Sequence, residues 1–196
     1  MSKFTGSCWA FTVAGAVESI NKIKKGVLYD LSPQQLIDCD ILNGGCKGGF
    51  RQGGFEYVLK NGGLTTEANY PYTEKKNTCD ATKESETVAT ITGYQNVVPP
   101  NDEAAIMAAV ANQPVASGVD ASPDFQHYKK GVFHGFCARS TNHAILIVGY
   151  NDTNPSDKYW IIKNSWGKNW GENGYVRLEK DVGLCGIARI ANYPTL

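Results

Sequence analysis

The chain's 196 residues are 42% hydrophobic and 19% charged, a globular balance with length enough for one or two buried cores. Nineteen Lys and Arg offset nineteen Asp and Glu, for a formal net charge of zero, which removes the basic footprint of a general nucleic-acid or anionic-membrane binder. No stretch approaches the ~18 unbroken apolar residues of a membrane span, so the composition points to a soluble protein.

Ala10, Val13, Val17 and Ile20 recur at helical spacing, and Lys24-Lys25-Gly26 closes the stripe with late positive charge and a glycine. Together they predict an amphipathic helix with Cys8 at its N-terminus. Ser32-Pro33-Gln34-Gln35 combines an N-cap serine, proline at the first helical position and a capping-box glutamine, and predicts a short helix through Leu36 and Ile37. Glycines dominate 44–54, after which Phe55 to Leu59 predict a helix that stops at Asn61-Gly62-Gly63. Asn101-Asp102-Glu103 opens an alanine-rich helix to about Ala111. Beyond Pro114 the texture changes to short β-type runs at Val115 to Val119, Ala144 to Tyr150, Tyr159 to Lys163, Gly174 to Leu178 and Ile187 to Ala191. Helices first and strands second predict an α+β chain, mainly helical over 1–112 and mainly β over 113–196, with a ligand cleft at the junction.

The six cysteines are too far apart for paired C-x-x-C zinc knuckles. If they are bridged, the protein matures in an oxidising compartment. No basic n-region, apolar h-region or cleavage site precedes Cys8, so the chain reads as a processed or truncated product. Asn151-Asp152-Thr153 is a glycosylation sequon pointing the same way. Cys8 is the first candidate for chemistry, because the positive end of a helix favours thiolate, the nucleophilic form. Taken alone it reads first as a buried or bridged cysteine. His127 and His134 read as surface or loop histidines, Trp166 and Trp170 as core aromatics, and the Lys22/Lys24/Lys25 and Lys129-Lys130 groups as solvated faces.

The neighbours of Cys8 change that reading. Gly6-Ser7-Cys8-Trp9-Ala10-Phe11 matches the C-G-[SA]-C-[WY] signature from its glycine onward, with Thr5 in place of the first cysteine. Asn142-His143-Ala144 follows with His143 135 residues after Cys8, and Asn164-Ser165-Trp166-Gly167 comes after a predicted strand. With Gln34-Gln35-Leu36-Ile37-Asp38-Cys39, Gly45-Cys46-Lys47-Gly48-Gly49, Tyr70-Pro71-Tyr72, Trp170-Gly171-Glu172-Asn173-Gly174-Tyr175 and Tyr193-Pro194 in the same order, the chain resembles the papain-like cysteine peptidases, in flavour the plant enzymes.

The resemblance implies one peptidase unit over 1–196 with a two-lobe fold, a helical N-terminal lobe and an antiparallel β-barrel-like C-terminal lobe, and the active site in the cleft between them. It implies Cys8 as nucleophile, His143 as general base and acid, and Asn164 as the residue orienting the imidazole, an amide that fixes the ring without adding a third charge. Trp166 would shield that hydrogen bond from water. Gly48 and Gly49 map onto the cleft strand that bonds an extended peptide, where a side chain would block the approach. Phe50, Gly118, Thr141, Ala144 and Ile190 map onto the pocket for the second residue before the scissile bond. Their apolar character implies a preference there for Leu, Val or Phe. No metal or organic cofactor is implied. The implied partners are polypeptide substrates, cystatin-like inhibitors and the chain's own propeptide, with a monomer located in the secretory pathway, lysosome or vacuole, or outside the cell.

Two positions depart from the pattern. The family's oxyanion glutamine, six residues before the nucleophile, is Ser2 here, and losing one such donor costs on the order of 10²–10³ in rate. The resemblance pairs Cys39 with Cys79 and Cys137 with Cys185, closing loops of 40 and 48 residues that contribute roughly 4 kcal/mol each in the chain-entropy model. It would pair Cys46 with a cysteine where Thr5 stands, so Cys46 is an odd thiol that could mispair with Cys8 or dimerise the chain. A second reading is therefore a papain-fold protein with little or no turnover, in a peptide-binding or storage role. A Cys/His metal-binding protein is a third, disfavoured by the lack of zinc-type spacing.

Overall fold

Helix α1 (Cys8–Lys25) opens the computed structural model, which describes residues 6–196. Its apolar stripe is buried from Trp9 through Val13 and Val17 to Ile20. Gly26, at φ 76°, ends the helix by donating its N–H to the Lys22 carbonyl, beside Lys22, Lys24 and Lys25 in the last turn, where positive charge suits the negative end of the helix. Helix α2 (Pro33–Cys39) begins on a Ser32 cap that accepts from the Gln35 N–H. All its residues are buried, so the polar ones need partners. Gln34 Nε2 donates to Asp38 Oδ1 at 2.8 Å, and Gln35 Oε1 accepts from the Thr65 N–H at 2.8 Å.

Helix α3 (Arg51–Asn61) starts four residues before the expected Phe55. Its early turn contains Gly53 and Gly54, poor helix formers, and close packing compensates. A Cβ on Gly54 would lie 2.8 Å from Val13 Cγ2 in α1, and one on Gly53 2.9 Å from Asn43 Nδ2. Helix α4 (Ala81–Ser85) is capped by the Asp80 carboxylate. Just before it, Cys79 is bridged to Cys39 at the end of α2.

Residues 6–95 with Pro194–Leu196 form one compact unit and Asn96–Tyr193 the other. The texture change at 112/113 does not coincide with this division, because helix α5 (Glu103–Val110), capped by Asp102, packs on the strands of the second unit. The strands of the chain are β1 (Gly93–Asn96), β2 (Val115–Val119), β3 (Val132–Phe133), β4 (His143–Asn151), β5 (Tyr159–Lys163), β6 (Tyr175–Glu179) and β7 (Asn192–Thr195), with helix α6 (Pro123–Gln126) between β2 and β3; β2 to β6 lie wholly in the second unit, and β1 and β7 straddle the division. They form one sheet in the order β1-β7-β2-β4-β5-β6-β3. Pairs β2–β4, β2–β7, β4–β5 and β5–β6 are antiparallel, and β3 adds to β6 in parallel. The sheet stays open at β1 and β3, so the barrel-like layer is not a closed one. The two-residue β3 presents too short an edge to carry a further strand.

The core of this unit joins Val115, Val119, Ile145, Ile147, Trp160, Ile162, Val176 and Leu178 to Phe125 and Trp170. The run Ile187 to Ala191, expected as a strand, is instead a series of turns. Cys185 at φ 54° and Gly186 at φ 72° start it, Cys185 is bridged to Cys137, and the N–H groups of Ile187 and Arg189 bond back to Leu184 and Gly186. Its apolar residues Ile187 and Ala188 are still buried, by a turn rather than a strand. No helix among the described residues is long and apolar enough to cross a membrane.

Candidate active site

Cys8 is the first residue of α1 and half-buried. It sits where the first N–H groups of the helix lack intrahelical acceptors and the dipole is positive, which favours an anion on sulfur. Its position is set by its neighbour: Trp9 is fully buried and its Nε1 donates to the Gly45 carbonyl at 3.0 Å. The Gly6 N–H donates to the Cys46 carbonyl at 2.9 Å, and a Cβ on Gly6 would lie 2.7 Å from the Gly48 nitrogen. Gly6 therefore runs against the Cys46–Gly48 segment in backbone contact. Gly49 is exposed, and Phe50 presents a ring that is 78% exposed while its N–H bonds Asn43 Oδ1.

Arg51, which the sequence reading did not single out, follows Phe50 at the start of α3. Burial pushes its guanidinium down to about 10, and the Cys8 charge opposes that shift. The attraction is reciprocal, so Arg51 favours thiolate at Cys8. A charged residue in a glycine-dominated stretch read as loop has no periodic signal. The only sequence cue was its position directly after a pocket residue.

In the second unit, His143 is the first residue of β4 and 9% exposed. The β4–β5 pairing sets Leu146 opposite Lys163 and so carries the residues after Lys163 toward His143. Asn164 Oδ1 lies 2.8 Å from His143 Nε2 and also accepts from the Ser165 N–H at 2.8 Å. The Ser165 donor identifies that amide atom as the oxygen, so Nε2 carries hydrogen and Nδ1 is left to exchange a proton. Trp166 stacks on the imidazole, centroids 4.6 Å apart at 28°, and is braced edge-on by Trp170 and Phe125. Burial lowers His143 to about 4, its Asn164 hydrogen bond opposing. An imidazolium here needs a facing anion.

Gly118 of β2 pairs with Ala144 of β4. Thr141 is half-buried two residues before His143, and the Ile190 carbonyl accepts from Ser117 Oγ at 3.3 Å while its side chain is exposed. These four residues gather where β2 ends and β4 begins. Phe50 belongs to the other unit. Cys137 is bridged to Cys185, and Cys8 and Cys46 stand outside both bridges. Burial and the Asp38 charge push the Cys46 thiol up against the pull of Lys76, which disfavours its thiolate form at neutral pH. Ser2 and Thr5 lie outside the described residues. His127 and His134 are exposed. The metal-type cluster among the described residues, Cys39, Cys79 and Glu84, has its two sulfurs bonded to each other.

The family model described as papain family cysteine protease matches residues 3–195. The chain belongs to the papain family of cysteine proteases. This papain-family chain is similar to the senescence-specific cysteine protease SAG12 of Arabidopsis thaliana, 50% identical over 196 residues that cover 97% of the chain and 56% of that protein. It spans about half the length of the curated relatives it matches. The bromelain protease from Ananas comosus, solved in complex with the E64 inhibitor, superposes with a TM-score of 0.93 at 48% identity, covering 99% of this chain and 91% of that one. The ragweed pollen cysteine protease Amb a 11 in its proform also gives 0.93, at 46% identity over 98% of this chain and 59% of that one.

Proposed function

We propose that the chain is a cysteine endopeptidase in which Cys8 is the nucleophile, His143 the general base and acid, and Asn164 the group that orients the ring. The observation that carries this is the buried His143–Asn164 hydrogen bond under the stacked Trp166 ring, in a papain-family chain with a cysteine at the head of α1. Thiolate at Cys8 attacks a peptide carbonyl, and imidazolium at His143 Nδ1 protonates the departing amine. Water, deprotonated by the same nitrogen, then hydrolyses the thioester. The Cys8 N–H, at the head of the helix, is a donor for the oxyanion.

The substrates are polypeptides, bound in extended form along Gly48 and Gly49. The residue second before the scissile bond meets Phe50, Gly118, Thr141, Ala144 and Ile190, and Leu, Val or Phe is preferred there. A propeptide partner is supported by the proform in which Amb a 11 was solved, and E64 is a fitting probe because bromelain was solved with it. The two disulfides support maturation in the secretory pathway, vacuole or extracellular space. Cystatin-like inhibitors and a monomeric state belong to the same proposal.

The test is iodoacetamide alkylation from pH 4 to 9 with mass mapping, run beside turnover of fluorogenic peptides varied at the second position. Cys8 is expected to react faster than Cys46 at acidic pH, and apolar peptides to be cleaved best. Equal reactivity with no turnover would overturn the peptidase reading. A fast Cys8 without turnover would instead favour the peptide-binding reading that Ser2 motivates, and a preference for Arg or Lys would overturn the pocket assignment.

A further inference from the structure

We propose that Asn151 carries an N-linked oligosaccharide. Asn151-Asp152-Thr153 is the one eligible acceptor triplet in the sequence, because Asn154-Pro155-Ser156, three residues on, has proline in the excluded middle position. Asn151 ends β4, and residues 152–157 that follow are all exposed, as a bulky modification requires.

The amide geometry leaves room for the modification. Asn151 Oδ1 accepts from Thr153 Oγ1 at 2.8 Å and from the Thr153 N–H at 3.4 Å, so the folded loop holds the acceptor hydroxyl against the acceptor amide. On the other side, Nδ2 donates to the Asp157 carbonyl at 3.0 Å. An Asn side-chain amide has two N–H groups. One makes the Asp157 bond, and the other is the hydrogen that glycosylation replaces. The resulting secondary amide keeps every hydrogen bond that the structure gives this side chain. Asp152, the middle residue of the triplet, has its carboxylate drawn toward Lys158 at 3.1 Å and Lys180 at 3.2 Å, which offsets its charge beside the sugar.

In the reaction, Nδ2 forms a bond to the anomeric carbon of a lipid diphosphate-linked oligosaccharide. The anomeric C–O bond breaks, the electron pair leaves with the diphosphate, and the amide proton passes to the transferase's base. The compartment that oxidises Cys39–Cys79 and Cys137–Cys185 is on the route where such transfer occurs. The proposal rests on that secretory route and not on peptidase turnover. Asn151 and His143 occupy opposite ends of the nine-residue β4, about 27 Å apart along the strand, so the sugar stands clear of the imidazole.

The test expresses the chain behind a secretion leader in a yeast or plant host and reads occupancy by mass mapping before and after peptide-N-glycosidase. Protein retained inside the secretory pathway is read as well as secreted protein, so a folding failure does not hide the result. Wild type and Asn154→Gln are expected to carry one glycan, and Asn151→Gln and Thr153→Ala none, with Thr153→Ser restoring it. An unmodified Asn151 peptide from wild-type protein with both disulfides formed would overturn the proposal, and so would a glycan that survives Asn151→Gln. Neither result would bear on peptide cleavage.

Discussion

Replacing Cys8 by alanine tests the pairing on which the proposed chemistry depends. Burial holds His143 down to about 4, so an imidazole with no anion facing it is neutral at about pH 6. If the proposed pair forms, a thiolate at an ordinary ion-pair separation of about 4 Å and an effective dielectric of about 20 would return roughly 4 kcal/mol, equivalent to about three pKa units. The intact protein is therefore expected to hold the His143 proton up to about pH 7, and Cys8→Ala to lose it near pH 4. NMR titration of labelled imidazoles, three in the sequence, reads this directly. Stability should follow with a definite sign. In Cys8→Ala the unfolded chain takes up a proton near the ordinary histidine value of about 6.5, whereas the folded chain does not until about 4. The variant is thus most stable above about pH 6.5 and loses roughly 3 kcal/mol as pH falls through that window. The intact protein gives no contrast in stability, because its folded thiolate–imidazolium pair holds one proton where the unfolded chain holds two below about pH 6.5, so the His143 titration and not the stability curve separates the two proteins. Superimposable His143 titrations in the two proteins would refute the pair, and with it the thiolate–imidazolium mechanism.

Asn164→Ala removes the oxygen shared by His143 Nε2 and the Ser165 N–H. Losing a hydrogen bond to a ring that carries charge costs about 1.5–3 kcal/mol, so kcat/KM on a fluorogenic peptide should fall about 10- to 150-fold; an unchanged value would mean that Asn164 does not orient the ring. Arg51→Met removes a cation that favours thiolate at Cys8 and is expected to slow alkylation of Cys8 at about pH 5 some three- to tenfold, with Cys46 unaffected as the internal control. Gly54→Ala places a Cβ 2.8 Å from Val13 Cγ2 and 3.3 Å from Trp9 Cζ3, both on fully buried side chains. Overpacking of this kind costs about 1–3 kcal/mol, and a urea midpoint lowered at unchanged slope is the expected result.

Where local chemistry and tertiary packing agree, the elements were legible from residues alone. Strands β2 and β5 begin and end where Val115, Val119, Tyr159 and Lys163 predict, because apolar β-formers there are bounded by turn residues. Helix α2 was announced by Ser32 and Pro33, whose cap and first-turn roles need no distant partner. The start of α3 was not legible, because Gly53 and Gly54 argue locally against a helix that packing on Val13 and Asn43 makes worthwhile. The run at Ile187 misled for the opposite reason: its apolar residues satisfy burial in a turn fixed by the Cys137–Cys185 bridge and positive φ angles. The motifs singled out Cys8, His143 and Asn164 as candidates by their distinctive neighbours, and the structure joins His143 to Asn164 by a hydrogen bond. Arg51 escaped because its electrostatic link to Cys8 exists only after α1 and α3 have packed.

The glycines around Cys8 follow from the same packing. Trp9, the next residue, is anchored by its bond to the Gly45 carbonyl and covered by two glycines: a Cβ on Gly49 would lie 2.7 Å from Trp9 Cε2, and one on Gly54 3.3 Å from Cζ3. Gly6 closes on the Gly48 nitrogen just ahead of the cysteine. Backbone thus packs directly on the indole and on the residues leading into α1, with no rotatable side chain between to give way. A backbone contact transmits displacement more rigidly than a side-chain contact, since interiors this dense relax only partly. The position of the Cys8 sulfur is therefore set as much by Gly6, Gly49 and Gly54 as by Cys8 itself. Substituting any of them should shift the cysteine, and an alkylation rate at Cys8 altered by more than the accompanying change in urea midpoint accounts for would be the mark of that shift.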